Sequence, residues 1–232
     1  MSPKIYNSRM TKQQVVIIDY GSGNIRSAAK AFEHVIATHK LNFEVLVTNK
    51  ASDLDKASHI VLPGQGAFGD CMQGLQAVEG MIESLKHNVL TQKKPFLGIC
   101  VGMQLLADKG LEYGEHEGLG WIAGEVVPLQ PADSTLKIPH MGWNVCEFND
   151  ETAHSALKNL KKTDPHFYFV HSFMFKCKDK DHVLGTVSYG GDVTAIVGVA
   201  NILGVQFHPE KSQEAGLMLL HDFLLWDGQE TC

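Results

Sequence analysis

Two hydrophobic rhythms divide this chain. In the first half, short apolar runs alternate with stretches of helical period. Residues 15–19 form an apolar run closed by the turn Tyr20-Gly21-Ser22-Gly23. Behind it Ile25, Ala28, Ala29, Phe32, Val35 and Ile36 fall at i, i+3, i+4, i+7, i+10 and i+11, one face of an amphipathic helix. Residues 43–47 and 59–62 predict two further strands, the second stopped by Pro63-Gly64. A helical stretch over about 69–90 leads to a fourth apolar strand at 95–99, and residues 100–107 open another helix. Strands alternating with helices in this way imply parallel pairing, right-handed crossovers and helices on both faces.

The second half is strand-rich. Residues 120–129, 137–148, 167–170, 183–189, 193–199 and 203–207 read as short strands joined by Gly, Asp and Asn turns, with Tyr189-Gly190-Gly191-Asp192 as a hairpin turn. A helix over about 211–226 closes the pattern. The expectation is an α/β fold: an open mixed sheet whose parallel core is flanked by helices and extended by antiparallel strands. No repeat, low-complexity tract or linker interrupts residues 14–232, which are expected to form a single domain. Residues 1–13 are expected to be a flexible extension, with Met10 as an alternative start.

Composition excludes more than it selects. The chain is 44% hydrophobic and 20% charged, ordinary globular proportions, and its 232 residues need no disulfide or metal to hold a core. A net charge of -6 without any basic block argues against nucleic acid as a partner. The five cysteines, Cys71, Cys100, Cys146, Cys177 and Cys232, are odd in number and form no CxxC pair, so neither a disulfide framework nor a zinc ribbon is predicted. Twelve histidines include no HxxxH or HExxH pair; His34/His39 and His166/His171 are five apart, wrong for one helix face, and no metal is expected. The polar start lacks the apolar stretch of a signal peptide. No apolar run reaches the roughly 18–20 residues that span a bilayer, so the cytoplasm is the expected compartment.

The segment Gly98-Ile99-Cys100-Val101-Gly102 joins an apolar strand to helix-forming Met103-Gln104-Leu105-Leu106. Glycines two before and two after a nucleophile permit a tight strand-to-helix turn, the arrangement of a nucleophile elbow with Cys in place of Ser. A thiol at a helix N-terminus ionises more easily, and the amide of Val101 can face the oxygen of a carbonyl under attack. The bland reading is a buried structural cysteine. A cysteine nucleophile needs a base, and the base an orienting group. Gly204-Val205-Gln206-Phe207-His208-Pro209-Glu210 offers both: a strand delivers His208, Pro209 starts the last helix, and Glu210 can accept from the imidazole. Taken singly, His208 and Glu210 read as a strand-end residue and a first-turn charge. A glycine-rich loop, Pro63-Gly64-Gln65-Gly66, ends a third strand and could bring a second backbone N–H to the same oxygen. All three segments sit at carboxyl ends of strands, where open parallel sheets place their crevice. A nucleotide site on Gly21-Ser22-Gly23 is a weak competitor, since Arg26 stands where a dinucleotide fingerprint needs its third glycine and Val47-Thr48-Asn49 offers no ribose-binding acid.

The Cys100 elbow, the His208-Pro209-Glu210 run and the Pro63-Gly64-Gln65-Gly66 loop together resemble class I (triad) glutamine amidotransferases, over about residues 15–226. Ile18-Asp19-Tyr20-Gly21-Ser22-Gly23-Asn24, Met103 and Pro139-His140-Met141-Gly142-Trp143-Asn144 are similar, more narrowly, to glutaminase subunits of imidazole glycerol phosphate synthases in histidine biosynthesis. Other amidotransferases of the class typically carry His where Met103 stands and lack the Trp143 stretch. The resemblance implies a flavodoxin-like class I glutaminase fold, L-glutamine as substrate and no cofactor. It implies Cys100 as nucleophile forming a γ-glutamyl thioester, His208 as acid then base, and Glu210 as its orienting partner. Gln104 and Glu112 match positions that hold the substrate, Glu112 its α-ammonium, with Glu115 and Glu117 as competitors in the same stretch. Gly64 and Gln65 match the oxyanion strand beside Val101. Members of this kind work with a TIM-barrel cyclase subunit, a heterodimer through which ammonia is channelled. Asn24, Trp143 and Lys211 match its docking face. Without the resemblance, Trp143 would more often be core and Lys211 a solvated helix-start charge. A class I glutaminase serving another acceptor, such as surface-sugar amidation, is the alternative reading.

Overall fold

The computed structural model describes residues 12–149, 154–162 and 164–229. Most of the expected N-terminal extension, residues 1–11 with Met10, lies outside the described residues, as does Cys232. The first strand, β1 (Gln13–Ile18), buries Val15 to Ile18 completely, as a strand covered on both faces must. It pairs in parallel with β2 (Phe43–Thr48) on one side and β3 (His59–Gly64) on the other. β4 (Phe96–Cys100) lies beyond β3.

Shorter strands follow: β5 (Lys109–Gly110), β6 (His116–Glu117), β7 (Gly124–Pro128), β8 (His140–Val145), β9 (Glu147–Phe148), β10 (His166–His171) and β11 (Phe173–Cys177). β12 (Val183–Ser188), β13 (Asp192–Val199) and β14 (Ile202–Val205) complete the set. The main sheet has eight strands in the order β2-β1-β3-β4-β14-β13-β12-β9. Its parallel core runs from β2 to β14, and β13, β12 and β9 extend it antiparallel. The hairpin at Tyr189–Asp192 joins β12 to β13 as the glycines predict, with Ser188 opposite Asp192.

Right-handed crossovers decide which helices share a face. The chain moves one way from β1 to β2 and the opposite way from β3 to β4. The intervening helices therefore lie on opposite faces. α1 (Ile25–His39) buries Ala28, Ala31, Phe32 and Val35 and ends at Lys40, whose left-handed φ of 52° closes the last turn. It packs beside the C-terminal helix, where Phe32 meets Phe223 edge-on at 6.2 Å between centroids.

The structure corrects several predicted elements. The helix expected over 69–90 is broken into α2 (Phe68–Ala77) and α3 (Met81–Leu85), because Gly80 takes a φ of 71° between them. A wider π turn, Lys86–Thr91, follows. There the buried Asn88 side chain donates to the Ser84 carbonyl at 2.9 Å, competing for the acceptor that an α-helix would give its own amide. The helix expected over 100–107 is a single turn, α4 (Val101–Gln104), so its dipole can do little for the cysteine before it. The strand expected over 137–148 divides at Cys146: β8 pairs with β10 in a separate two-stranded sheet, while β9 joins β12 in the main sheet. The strand expected over 120–129 narrows to β7, and β11 was not predicted; with β5 and β6 they form a four-stranded sheet. The second-half strands thus build three sheets instead of one extension. Finally, Pro209 starts a 3-10 turn, Pro209–Lys211, and the helix proper, α5, spans Gln213–Leu225.

Candidate active site

The carboxyl ends of β1, β3, β4 and β14 lie side by side and carry Ser22, Gln65, Cys100 and His208 on the segments that follow or end them. Cys100 ends β4 with φ 56° and ψ -114°, a conformation an L-residue rarely adopts. Such a residue costs of order 1–3 kcal/mol and persists only where its surroundings hold it. The positive φ of the elbow therefore falls on the cysteine itself, not on Gly98 or Gly102. Those glycines serve close approach. A Cβ on Gly102 would collide with the Leu62 carbonyl oxygen, and one on Gly98 would stand 2.6 Å from the Gly102 oxygen. We expect Gly102→Ala to lower the unfolding free energy by about 1–3 kcal/mol, the scale of overpacking against unyielding backbone. Urea titration measures this, and an unchanged midpoint would show that β3 can yield.

His208 follows β14 and is 2% exposed. Its backbone is held at both ends: its N–H donates to the Tyr168 carbonyl at 3.0 Å, and its own carbonyl accepts from Ser212 Oγ at 2.6 Å. The 3-10 turn brings Glu210 back so that Oε1 lies 2.9 Å from His208 Nδ1. The imidazole shares a cavity with Cys100, close enough for the sulfur to act on its protonation. With Nδ1 given to Glu210, Nε2 is the nitrogen left for the sulfur. Burial alone would lower the pKa of His208, but the hydrogen bonds to Cys100 and Glu210, and their charges, outweigh it and raise it from 6.5 to about 9.

Cys100 and His208 line one cavity of about 270 Å³ together with Gln65, Val101, Gln104, Glu112 and Lys211. Val101 opens α4, so its N–H has no acceptor within the helix and is free for a ligand oxygen. Glu112 lines the cavity and accepts from the Phe68 N–H at 2.8 Å, whereas Glu115 pairs with Lys109 and, with Glu117, borders a different depression. Gly64 lies opposite Cys100 in the β3–β4 register, packed against Gly102 behind the cavity wall. Gln65 reaches the cavity, but its N–H donates to Ser22 Oγ at 3.3 Å, and the same hydroxyl contacts its carbonyl. That amide is engaged with the β1 loop and not with Cys100.

Asn24 and Trp143 stand apart from the cavity. Asn24 borders a neighbouring depression with Arg26 and Lys30. Trp143 is 47% exposed, where residue type alone would favour the core. It lies opposite Tyr168 in the β8–β10 register with ring centroids 6.1 Å apart, and Lys211 Nζ sits 5.8 Å from the same Tyr168 ring. Met141 and Ile138 are exposed beside it, an apolar surface next to the cavity mouth.

Sequence reasoning missed Tyr168, His171 and Gln206. The Phe173 carbonyl accepts from His171 Nδ1 at 2.8 Å and from Gln104 Nε2 at 3.2 Å. His171 Nε2 meets His140 Nδ1 at 3.2 Å, and burial lowers both histidines to about 4, so the pair is neutral near pH 7. Only the alternation of His166-Phe167-Tyr168-Phe169-Val170-His171, which puts His171 on the face of Phe169, hinted at this pairing. Among the described residues no group of three or more His, Cys, Asp or Glu could hold a metal ion, and no helix is long and apolar enough to cross a membrane.

Residues 16–226 match the glutamine amidotransferase class-I family. The imidazole glycerol phosphate synthase subunit HisH of Rhodospirillum rubrum is 51% identical over 213 residues, 92% of this chain and 99% of that protein. The subunit of the same name from Brucella suis is 50% identical over 215 residues, again 92% of this chain and 99% of its own length. A glutamine amidotransferase of known crystal structure superposes with a TM-score of 0.64 at 18% identity, over 87% of this chain and 94% of the other, a likeness of fold. With strand order, elbow and match in agreement over nearly the whole length, the chain belongs to the class I glutamine amidotransferases, and among them to the HisH family of imidazole glycerol phosphate synthase subunits.

Proposed function

We propose that this glutamine-hydrolysing subunit works through Cys100, His208 and Glu210 and hands its ammonia to a TIM-barrel cyclase subunit in the cytoplasm. The hydrogen bond between Glu210 and His208, on a cavity that His208 shares with Cys100, Gln104 and Glu112, carries the reading. The Cys100 thiolate adds to the side-chain amide carbon of glutamine, and the carbonyl electron pair moves to oxygen, facing the Val101 N–H. The intermediate collapses with loss of the amide nitrogen, which takes a proton from the His208 imidazolium and leaves as ammonia. Water then adds to the thioester, losing a proton to His208. Collapse frees glutamate and restores the thiolate.

Gln104 has both amide hydrogens committed, to Phe173 and Gln206, so only its oxygen remains for substrate; it suits the α-ammonium, not the carboxylate. Glu112 keeps one oxygen for the same ammonium. Ammonia released into bulk water becomes ammonium, which is no nucleophile, so a partner sealing the cavity mouth preserves the reactive form. The row Trp143, Tyr168 and Lys211, with Asn24 further along the same edge, suits such a partner.

The test is ammonia production from glutamine with and without the cyclase and its nucleotide substrate. Stimulation supports the pairing, and a cyclase that neither binds nor stimulates would redirect the ammonia to another acceptor. Trp143→Ala is expected to weaken the cyclase complex by about tenfold while leaving unstimulated hydrolysis intact, as for an exposed aromatic anchor. Calorimetric titration reads this directly, and equal affinity would remove Trp143 from the interface.

A further inference from the structure

We propose that Gln206 is a further protein group on the nucleophile, donating a hydrogen bond from its side-chain amide to the Cys100 sulfur. Its Nε2 lies 3.7 Å from Cys100 Sγ, within the reach of a bond to the larger sulfur atom. The placement follows from the sheet. Val205 pairs with Ile99 in the β14–β4 register, so Gln206, one residue on, sits beside Cys100 at the same carboxyl edge. Its backbone N–H is fixed to the Ala195 carbonyl at 2.8 Å, and the residue is 0% exposed.

The direction of the amide is determined by its neighbours. The Phe173 carbonyl can only accept, so the Gln104 atom 3.2 Å from it is Nε2. That same nitrogen lies 2.9 Å from Gln206, which must therefore present its oxygen there. The Gln206 nitrogen is then turned to the sulfur. An apolar side chain could fill this interior space without the desolvation penalty of an amide. A buried amide with its oxygen already satisfied, and its N–H₂ aimed at the nucleophile, is placed for an anion. Hydrogen bonds to charged acceptors are the stronger kind, so the contact favours thiolate over thiol.

The inference rests on Cys100 being the nucleophile. Gln206 would act twice in the cycle: it stabilises the thiolate before attack, and again as the sulfur leaves when the thioester collapses. The groups facing Cys100 that could also move with pH are His208 with Glu210 behind it, Tyr20 and Cys71 from the β1 side, and His171, Glu112 and Lys211 around the cavity.

The experiment compares the pH profile of Cys100 alkylation by iodoacetamide, read site by site by mass spectrometry, in the parent, Gln206→Met and Gln206→Glu. Gln206→Met removes the donor at similar volume. Gln206→Glu keeps the acceptor for Gln104 and places an oxygen against the sulfur. Both profiles are expected to move to higher pH, by on the order of one unit for Gln206→Met and more for Gln206→Glu. At pH 7, kcat should fall about tenfold with KM little changed, and part of the loss should return as the pH rises. Profiles coinciding with the parent's in variants of unchanged thermal midpoint would overturn the proposal. Should neither variant fold, the parent decides: the Gln206 side-chain amide protons, followed by NMR, should shift on alkylation of Cys100, and unmoved resonances reject the contact. The parent also keeps the two claims apart. If fully alkylated parent still hydrolyses glutamine, the nucleophile assignment fails. If alkylation silences it while the variant profiles coincide, only the role of Gln206 fails.

Discussion

Cys100→Ala is expected to abolish glutamine hydrolysis, a fall of about 10⁴–10⁶ in turnover, of the size seen when a triad nucleophile is removed. Among the described residues no other thiol can stand in. Cys71, the thiol whose charge would couple to Cys100, is buried and its pKa is raised by burial, and it is tied up with Ser22 at 3.1 Å and with the Gln65 carbonyl at 3.5 Å. Cys146 is buried, its thiol pushed up by burial, and Cys177 is pushed up by burial to about 12. The alanine variant should keep its fold and its affinity for a partner, because the thiol leaves only a small gap and the strained backbone is held by Leu62, Gly98 and Gly102 around it. Ammonia release, measured beside circular dichroism and binding to the cyclase, separates the cases. Hydrolysis within tenfold of the parent would move the nucleophile elsewhere.

What could be read ahead of the structure was whatever repeats or is punctuated locally. The apolar runs at β1, β3 and β4 have no polar alternation because helices cover both faces, and their order implied a parallel core. The periodic face of α1 survived with small changes: Ala31 is buried, while Ile25, Ala29 and Ile36 pack at the rim. The elbow and the His208-Pro209-Glu210 run were legible because their chemistry needs neighbours in sequence. Features set by tertiary contact were not. Asn88 competing for the Ser84 carbonyl widens a helix without changing its hydrophobic period. The switch of sheets at Cys146 happens within an unbroken strand-like pattern. Trp143 looks like core by residue type, yet its strand pairs only with β10, leaving the ring half open. Gln206 reads as one polar position in an apolar strand; its meaning comes from Gln104, 102 positions away. The engagement of the Gln65 amide by Ser22, 43 positions apart, is of the same kind.

His208→Asn is expected to lower kcat by about 10²–10⁴, the usual contribution of a positioned acid and base. The asparagine can still accept or donate one hydrogen bond, but it cannot carry the proton that ammonia must take on leaving. The pH dependence gives the sharper evidence. With the imidazole raised from 6.5 to about 9, the protonated form dominates at neutral pH, and the acid for ammonia departure is already charged. Activity of the parent should therefore decline as pH rises through about 9, and His208→Asn should lose that limb along with its rate. The sign for stability is the same. Because the folded-state value lies above 6.5, protonation of His208 adds to stability below that pH, and the contribution is lost as the pH climbs through about 9. Thermal midpoints of the parent against His208→Asn should converge above that pH and diverge below it. A variant that loses less than tenfold in kcat, or keeps the alkaline limb, would leave His208 as a buried structural residue, and the line from Glu210 to Cys100 would need another proton carrier.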